Sequence, residues 1–171
     1  MNQTTYAVLP TSLGWVGVFA SPTGIRRLTL PEASPPEAVE GLGPEARGAV
    51  LHPSRFEELR MRLDRYFSGE LVDFNDALDL RESAPFFRRA WQACGSIPRG
   101  ETRTYAWLAS RAGNPRAVRA AGQAMARNPV SIIIPCHRVI ASDGSLCGYG
   151  GSLGLKQRLL DLEALVPLAR R

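Results

Sequence analysis

The sequence predicts an α+β protein: a small antiparallel sheet with one helix, followed by a mainly helical half that contains a helix-turn-helix. Strand-like alternation is confined to Tyr6–Leu9, Gly14–Ala20 and Ile25–Leu30, with the turn residues Ser21-Pro22-Thr23-Gly24 between the last two. Residues 31–54 are rich in Pro, Gly, Ala and Glu and read as a surface loop. From Arg55 to Phe67 the period changes: Phe56, Leu59, Leu63, Tyr66 and Phe67 form the stripe of an amphipathic helix, ended by Gly69.

A linker over residues 69–83 separates two expected domains, 1–82 and 83–171. In the second, Ser83 is expected to cap a helix with the stripe Phe87, Trp91, Cys94 and Ile97, which places Cys94 in the core. Two short helices follow, Thr104–Ala112 and Pro115–Arg127, with Asn114 as N-cap and Pro115 at the first helical position of the second. So short a connection is that of a helix-turn-helix. Val130–Ile134 reads as a buried strand ended by Pro135, and a final helix carries Leu155, Leu159, Leu162 and Val166.

Composition narrows the class. The 171 residues are 44% apolar and 22% charged, with no apolar run long enough to span a membrane. Met1–Pro10 has neither the basic nor the apolar segment of a signal peptide, so a cytoplasmic protein is expected. The three cysteines, Cys94, Cys136 and Cys147, show no C-x-x-C spacing and are expected to be reduced thiols, with no metal and no cofactor. Charge is uneven: residues 1–85 hold 8 Lys+Arg against 12 Asp+Glu, and residues 86–171 hold 13 against 4. A polyanion would therefore meet the second half.

The densest chemical signal is Ile134-Pro135-Cys136-His137-Arg138-Val139. A thiol beside His137 and Arg138 sits where positive charge could lower its pKa and make it a nucleophile. Neighbours in extended chain point opposite ways, so His137 serves Cys136 only if the chain turns there or a water bridges them. Glu163, next to Leu162 on the last helix, is placed to hold the imidazole in one tautomer. The helix from Pro115 is mainly Ala and Gly apart from its arginines, so its backbone could approach another surface closely. Gly148–Gly154 fits neither a dinucleotide fingerprint nor a Walker loop; its glycines would shape a mobile wall with Tyr149 as a flat face.

Taken together, Ile134–Val139, Asn128-Pro129, Gly113-Asn114-Pro115 and Gly148-Tyr149-Gly150-Gly151 resemble the O6-alkylguanine-DNA alkyltransferase family over residues 84–165. The N-terminal region is similar in kind to that family's ribonuclease H-like domain. The resemblance implies that Cys136 accepts the alkyl group, His137 activates it through a water, Glu163 orients His137, and Asn128 braces the turn. It further implies that Arg119 enters the duplex in place of a flipped nucleotide, Tyr105 presses on the target phosphate, and Ala117, Ala120, Ala121 and Gly122 line the DNA face. Tyr149, Val139, Ser142 and Gly150 would surround the extruded base. O6 of guanine lies in the major groove of stacked DNA, out of reach of a thiol held within the protein, so flipping follows.

The implied partner is double-stranded DNA with alkylated bases, met by a monomer without a membrane. Cys147 before Gly148 and Ser152 in place of a third glycine depart from the family pattern. Three rivals are an alkyltransferase-like protein that binds lesions without repair, which would lack the cysteine; a cysteine hydrolase, which would turn over; and a plain helix-turn-helix regulator, which needs no thiol.

Overall fold

The computed structural model describes residues 2–147 and 152–164. Val166, Tyr149 and Gly150 lie outside the described residues. The chain divides into two compact units, Met1–Leu80 with Pro129–Ser131, and Arg81–Asn128 with Ile132–Arg171.

In the first unit β1 (Thr5–Thr11), β2 (Gly14–Ser21) and β3 (Gly24–Leu28) form antiparallel pairs in register Leu9↔Val16 and Val18↔Leu28. The segment expected to be loop contains α1 (Pro35–Gly41) and the short strand β4 (Val50–Leu51). Ser34 starts α1 by accepting from Glu37 N, with proline at the first helical position, a cap that composition alone concealed. β4 pairs parallel with β1, so the sheet, in the order β3-β2-β1-β4 among the described residues, is mixed rather than wholly antiparallel.

β2 is buried without a break from Val16 to Ser21 because it is central and covered on both faces. Gly17 is required there: a Cβ would stand 2.5 Å from the Ala38 carbonyl oxygen of α1. Gly17→Ala is expected to lower stability by about 1–3 kcal/mol, read as a lower urea midpoint at unchanged slope. α2 (Glu57–Phe67) follows a 3-10 turn at Pro53–Phe56, packs against β1 and buries Leu59, Leu63, Tyr66 and Phe67. Gly69 beyond its end has φ 94°, the left-handed conformation that stops a helix.

The second unit is built on α3 (Pro85–Gly95), α4 (Tyr105–Arg111) and α5 (Val118–Ala126), which pack on one another. α3 buries Ala90, Trp91 and Cys94, and Trp91 Nε1 donates to Ala124 O at 2.8 Å, joining α3 to α5. Ser83 does not cap α3; the residue before the helix is Ala84, and Pro85, with its fixed φ, begins it. Thr104 caps α4 by accepting from Trp107 N, and Gly113 at φ 95° ends it.

The second helix of the pair starts three residues later than expected. Asn114 Oδ1 accepts from Arg116 N and Asn114 O from Ala117 N, so Asn114-Pro115-Arg116-Ala117 is a tight turn with proline at its second position. Asn-Pro serves turns as readily as helix starts, and here the local side-chain bond selects the turn. Val130–Ile134 is also not a continuous strand. Val130 bridges Leu28 and Ser131 N donates to Leu28 O, then Ile132 at φ 72° turns the chain away. A β-branched residue in that region is strained and is held by its surroundings, which bury it.

Short parallel strands β5 (Arg103–Thr104) and β6 (Val139–Ile140) and the final helix α6 (Leu153–Ala164) complete the unit. Among the described residues no helix is long and apolar enough to cross a membrane.

Candidate active site

Pro135 ends the preceding segment, and Cys136–Arg138 form one 3-10 turn before β6. The chain therefore turns at Cys136, the condition required for its neighbour to cooperate with it. Asn128 closes this turn from outside: its Nδ2 donates to Ile134 O at 2.8 Å and to Cys136 Sγ at 3.1 Å. One amide thus holds both the carbonyl before the turn and the sulfur on it.

His137 and Glu163 are completely buried, with Nε2 2.7 Å from Oε1. Burial favours neutral imidazole and holds the His137 pKa below 6.5; the Glu163 hydrogen bond and charge oppose that, and Arg138 and Lys156 reinforce it. Burial alone would raise Glu163, but hydrogen bonds from His137 and Arg138 outweigh it and hold the carboxyl far below the usual range. A carboxylate accepting from Nε2–H leaves Nδ1 as the basic nitrogen of the ring.

Arg138 is not beside the thiol. Its Nε and Nη2 donate to Glu163 at 2.9 and 2.8 Å, and Nη1 donates to Ile97 O at 2.6 Å. The expected lowering of the thiol pKa by this arginine therefore fails: burial pushes Cys136 up, against the Asn128 hydrogen bond and the charge of Lys156, which pull it down. At rest the sulfur is a thiol and must lose its proton to react.

Lys156 is the residue that sequence reading passed over. It is 1% exposed, and its Nζ donates to Val139 O at 2.7 Å and Cys147 O at 3.4 Å, tying α6 to the loop after the turn. Burial depresses its pKa, and the nearby thiols Cys136, Cys147 and Cys94 oppose that. The signal was its spacing: residues 156, 159 and 163 lie on one helical face with Leu159 and Glu163. Arg138 belongs to the same motif, but only the fold reveals its partner.

The other expected site residues distribute as follows. Tyr105 begins α4 directly after β5, which pairs with β6, so it starts beside the loop that follows Cys136. Burial and the neighbouring cysteines raise its phenol to about 12. Arg119 is exposed on the first turn of α5, and Ala117 is its N-cap residue. Ala120 and Gly122 are partly exposed, and a Cβ added at Gly122 would meet open space. Ala121 is fully buried with Ala124 and Met125, which places its side chain on the packed face of α5 rather than its outer surface. Val139 is buried and contributes its carbonyl to Lys156, whereas Ser142 is exposed.

Two family models match the chain: the 6-O-methylguanine DNA methyltransferase ribonuclease-like domain over residues 4–80, and the DNA binding domain of the same name over 85–165. A curated relative from Mycolicibacterium paratuberculosis, named methylated-DNA--protein-cysteine methyltransferase, is 48% identical over 120 residues, 70% of this chain and 72% of the relative. The crystal structure of Mycobacterium tuberculosis O6-methylguanine methyltransferase superposes with TM-score 0.82 at 35% identity, covering 97% of this chain and 96% of that one. The structure of Mycobacterium tuberculosis OGT in complex with DNA gives 0.80 at 36% identity, covering 94% and 92%.

Proposed function

The chain belongs to the 6-O-methylguanine DNA methyltransferase family, and from that premise we propose that Cys136 is the sulfur that takes the alkyl group, in a site completed by His137, Glu163 and Asn128. The protein repairs DNA by moving an alkyl group from O6 of guanine to one of its own cysteines. The observation that carries the assignment to Cys136 is that the turn bearing a thiol held by Asn128 also bears His137, buried and paired with Glu163 of α6.

The step balances within protein and substrate. The S–C bond forms as the C–O6 bond breaks, the thiol proton passes through a bridging water to Nδ1 of His137, and the guanine, leaving as its anion, takes up one proton from water as the imidazolium returns its own to solvent. Glu163 keeps Nε2 protonated so that Nδ1 faces the transfer, and its charge stabilises the imidazolium that forms. Asn128 orients the sulfur. A thioether has no hydrolytic exit, so each chain acts once and needs no partner chain.

The division of labour follows the charge: residues 83–171 bind duplex DNA and carry out the transfer, and residues 1–82 form a separate domain. α5 lies on the minor groove with its small outer residues, Ala117, Ala120 and Gly122, against the backbone of the duplex, Arg119 replaces the flipped base, and Tyr105 presses on its phosphate.

Intact-protein mass spectrometry after incubation with O6-methylguanine DNA should show one added methyl per chain, mapped to Cys136, and none in Cys136→Ala. A methyl retained by that variant would overturn the assignment. Arg119→Ala should slow repair of a duplex lesion by about tenfold or more while leaving reaction with the free alkylated base within about twofold, because the free base needs no flipping. Equal losses on both substrates would remove Arg119 from that role.

A further inference from the structure

On α2, Arg60 pairs with Glu57 and Asp64, Arg62 with Asp76, and Arg65 with Glu70, and in the second unit Arg103 pairs with Glu101 and Arg138 with Glu163. Arg89 of α3 and Arg111 of α4, by contrast, make no ion pair among the described residues. Both line a groove of about 320 Å³ between α3 and α4, together with Gln92, Ala93 and Ser96 and with no carboxylate.

Both guanidinium groups are held in place by the fold. Arg89 Nε donates to Ala112 O at 2.8 Å, its guanidinium lies 5.8 Å from the Phe86 ring centroid, and its terminal nitrogens are left for a ligand. Arg111 lies 5.7 Å from the centroid of Trp107. Two anchored guanidiniums with an exposed Gln92 amide beside them form a concave donor set, and the group that matches it is a singly charged, multiply accepting oxyanion.

We propose that this groove is a second backbone-binding site for duplex DNA, taking a phosphodiester away from the lesion; the proposal rests on the DNA-repair reading above. Arg111 lies six residues beyond Tyr105 on the same helix, a rise of about 9 Å. That rise separates the phosphate taken here from the one assigned to Tyr105. Arg89 is fastened to the turn of the helix-turn-helix, so seating a phosphate here sets the angle at which α5 meets the duplex. The groove contributes affinity and register without reading sequence.

The test is the salt dependence of binding to an undamaged duplex, followed by fluorescence anisotropy for the wild-type chain, Arg111→Gln, and Arg88→Gln as a control. Arg88 is exposed on the same helix as Arg89 but lies outside the groove. Arg111→Gln is expected to make the slope of log K against log salt shallower by about 0.9 and to weaken binding roughly fivefold at 0.15 M salt. Arg88→Gln should leave the slope unchanged, and reaction of Arg111→Gln with the free alkylated base should match wild type, showing an intact fold. An unchanged slope in Arg111→Gln, or equal changes in both variants, would overturn the groove as a site while leaving the repair reading intact. A wild-type chain that neither binds duplex nor takes up the methyl would overturn both.

Discussion

Replacing Glu163 with glutamine is expected to slow alkyl transfer by at least about a hundredfold, the lower bound for losing an oriented general base. The carboxylate accepts from three nitrogens, Nε2 of His137 and two of Arg138, in a fully buried position. Glutamine keeps the volume but supplies one acceptor oxygen and an NH2 group, so one of those donors must face another donor. His137 loses the partner that sets its tautomer, and Arg138, 14% exposed, loses its counter-charge. Breaking one side of a buried ion pair costs about 3–5 kcal/mol, so unfolding by urea should be recorded beside the rate. A purely structural role is separated by the pH profile. The Glu163 hydrogen bond and charge raise the His137 pKa, so in the glutamine variant the acid limb of the rate should move to lower pH. A normal rate constant with reduced stability would make Glu163 a structural brace only.

The wild-type rate should itself fall steeply in acid. Burial, the largest effect, holds His137 neutral to below pH 6.5, so transfer should be level above that value and drop about tenfold per pH unit below the folded pKa. Stability changes in the same direction. Unfolded His137 binds a proton near pH 6.5 while the folded chain does not, so stability declines as pH falls from there to the folded pKa, by about 1.4 kcal/mol per unit. Glu163, depressed below 4.5, stabilises the fold fully above its unfolded value and loses that contribution only as pH falls through the lower folded one. Stopped-flow rates and urea midpoints measured from pH 8 to 5 test both statements. An acid limb above pH 6.5 would remove His137 as the proton acceptor.

Sequence alone located what depends on short-range pattern. β1, α2 and the stripe that buries Trp91 and Cys94 are periodic, and period reports which face is apolar. The motif around Cys136 and the resemblance it supports gave the family, and the position of Glu163 on α6 was legible from its distance to Leu159. Tertiary structure alone decided three things. Arg138 faces Glu163 rather than the sulfur, because direction around a one-turn 3-10 element is not encoded in adjacency. Lys156, a residue type that belongs at the surface, is buried because the carbonyls of Val139 and Cys147 await it, and such acceptors are set by a loop distant in sequence. Asn114-Pro115 makes a turn and Ile132 adopts a left-handed conformation because neighbouring segments and local side-chain bonds outweigh intrinsic preference. The thiol's identity was written in the chain; its resting protonation was set by burial and by the partners the fold brought to it.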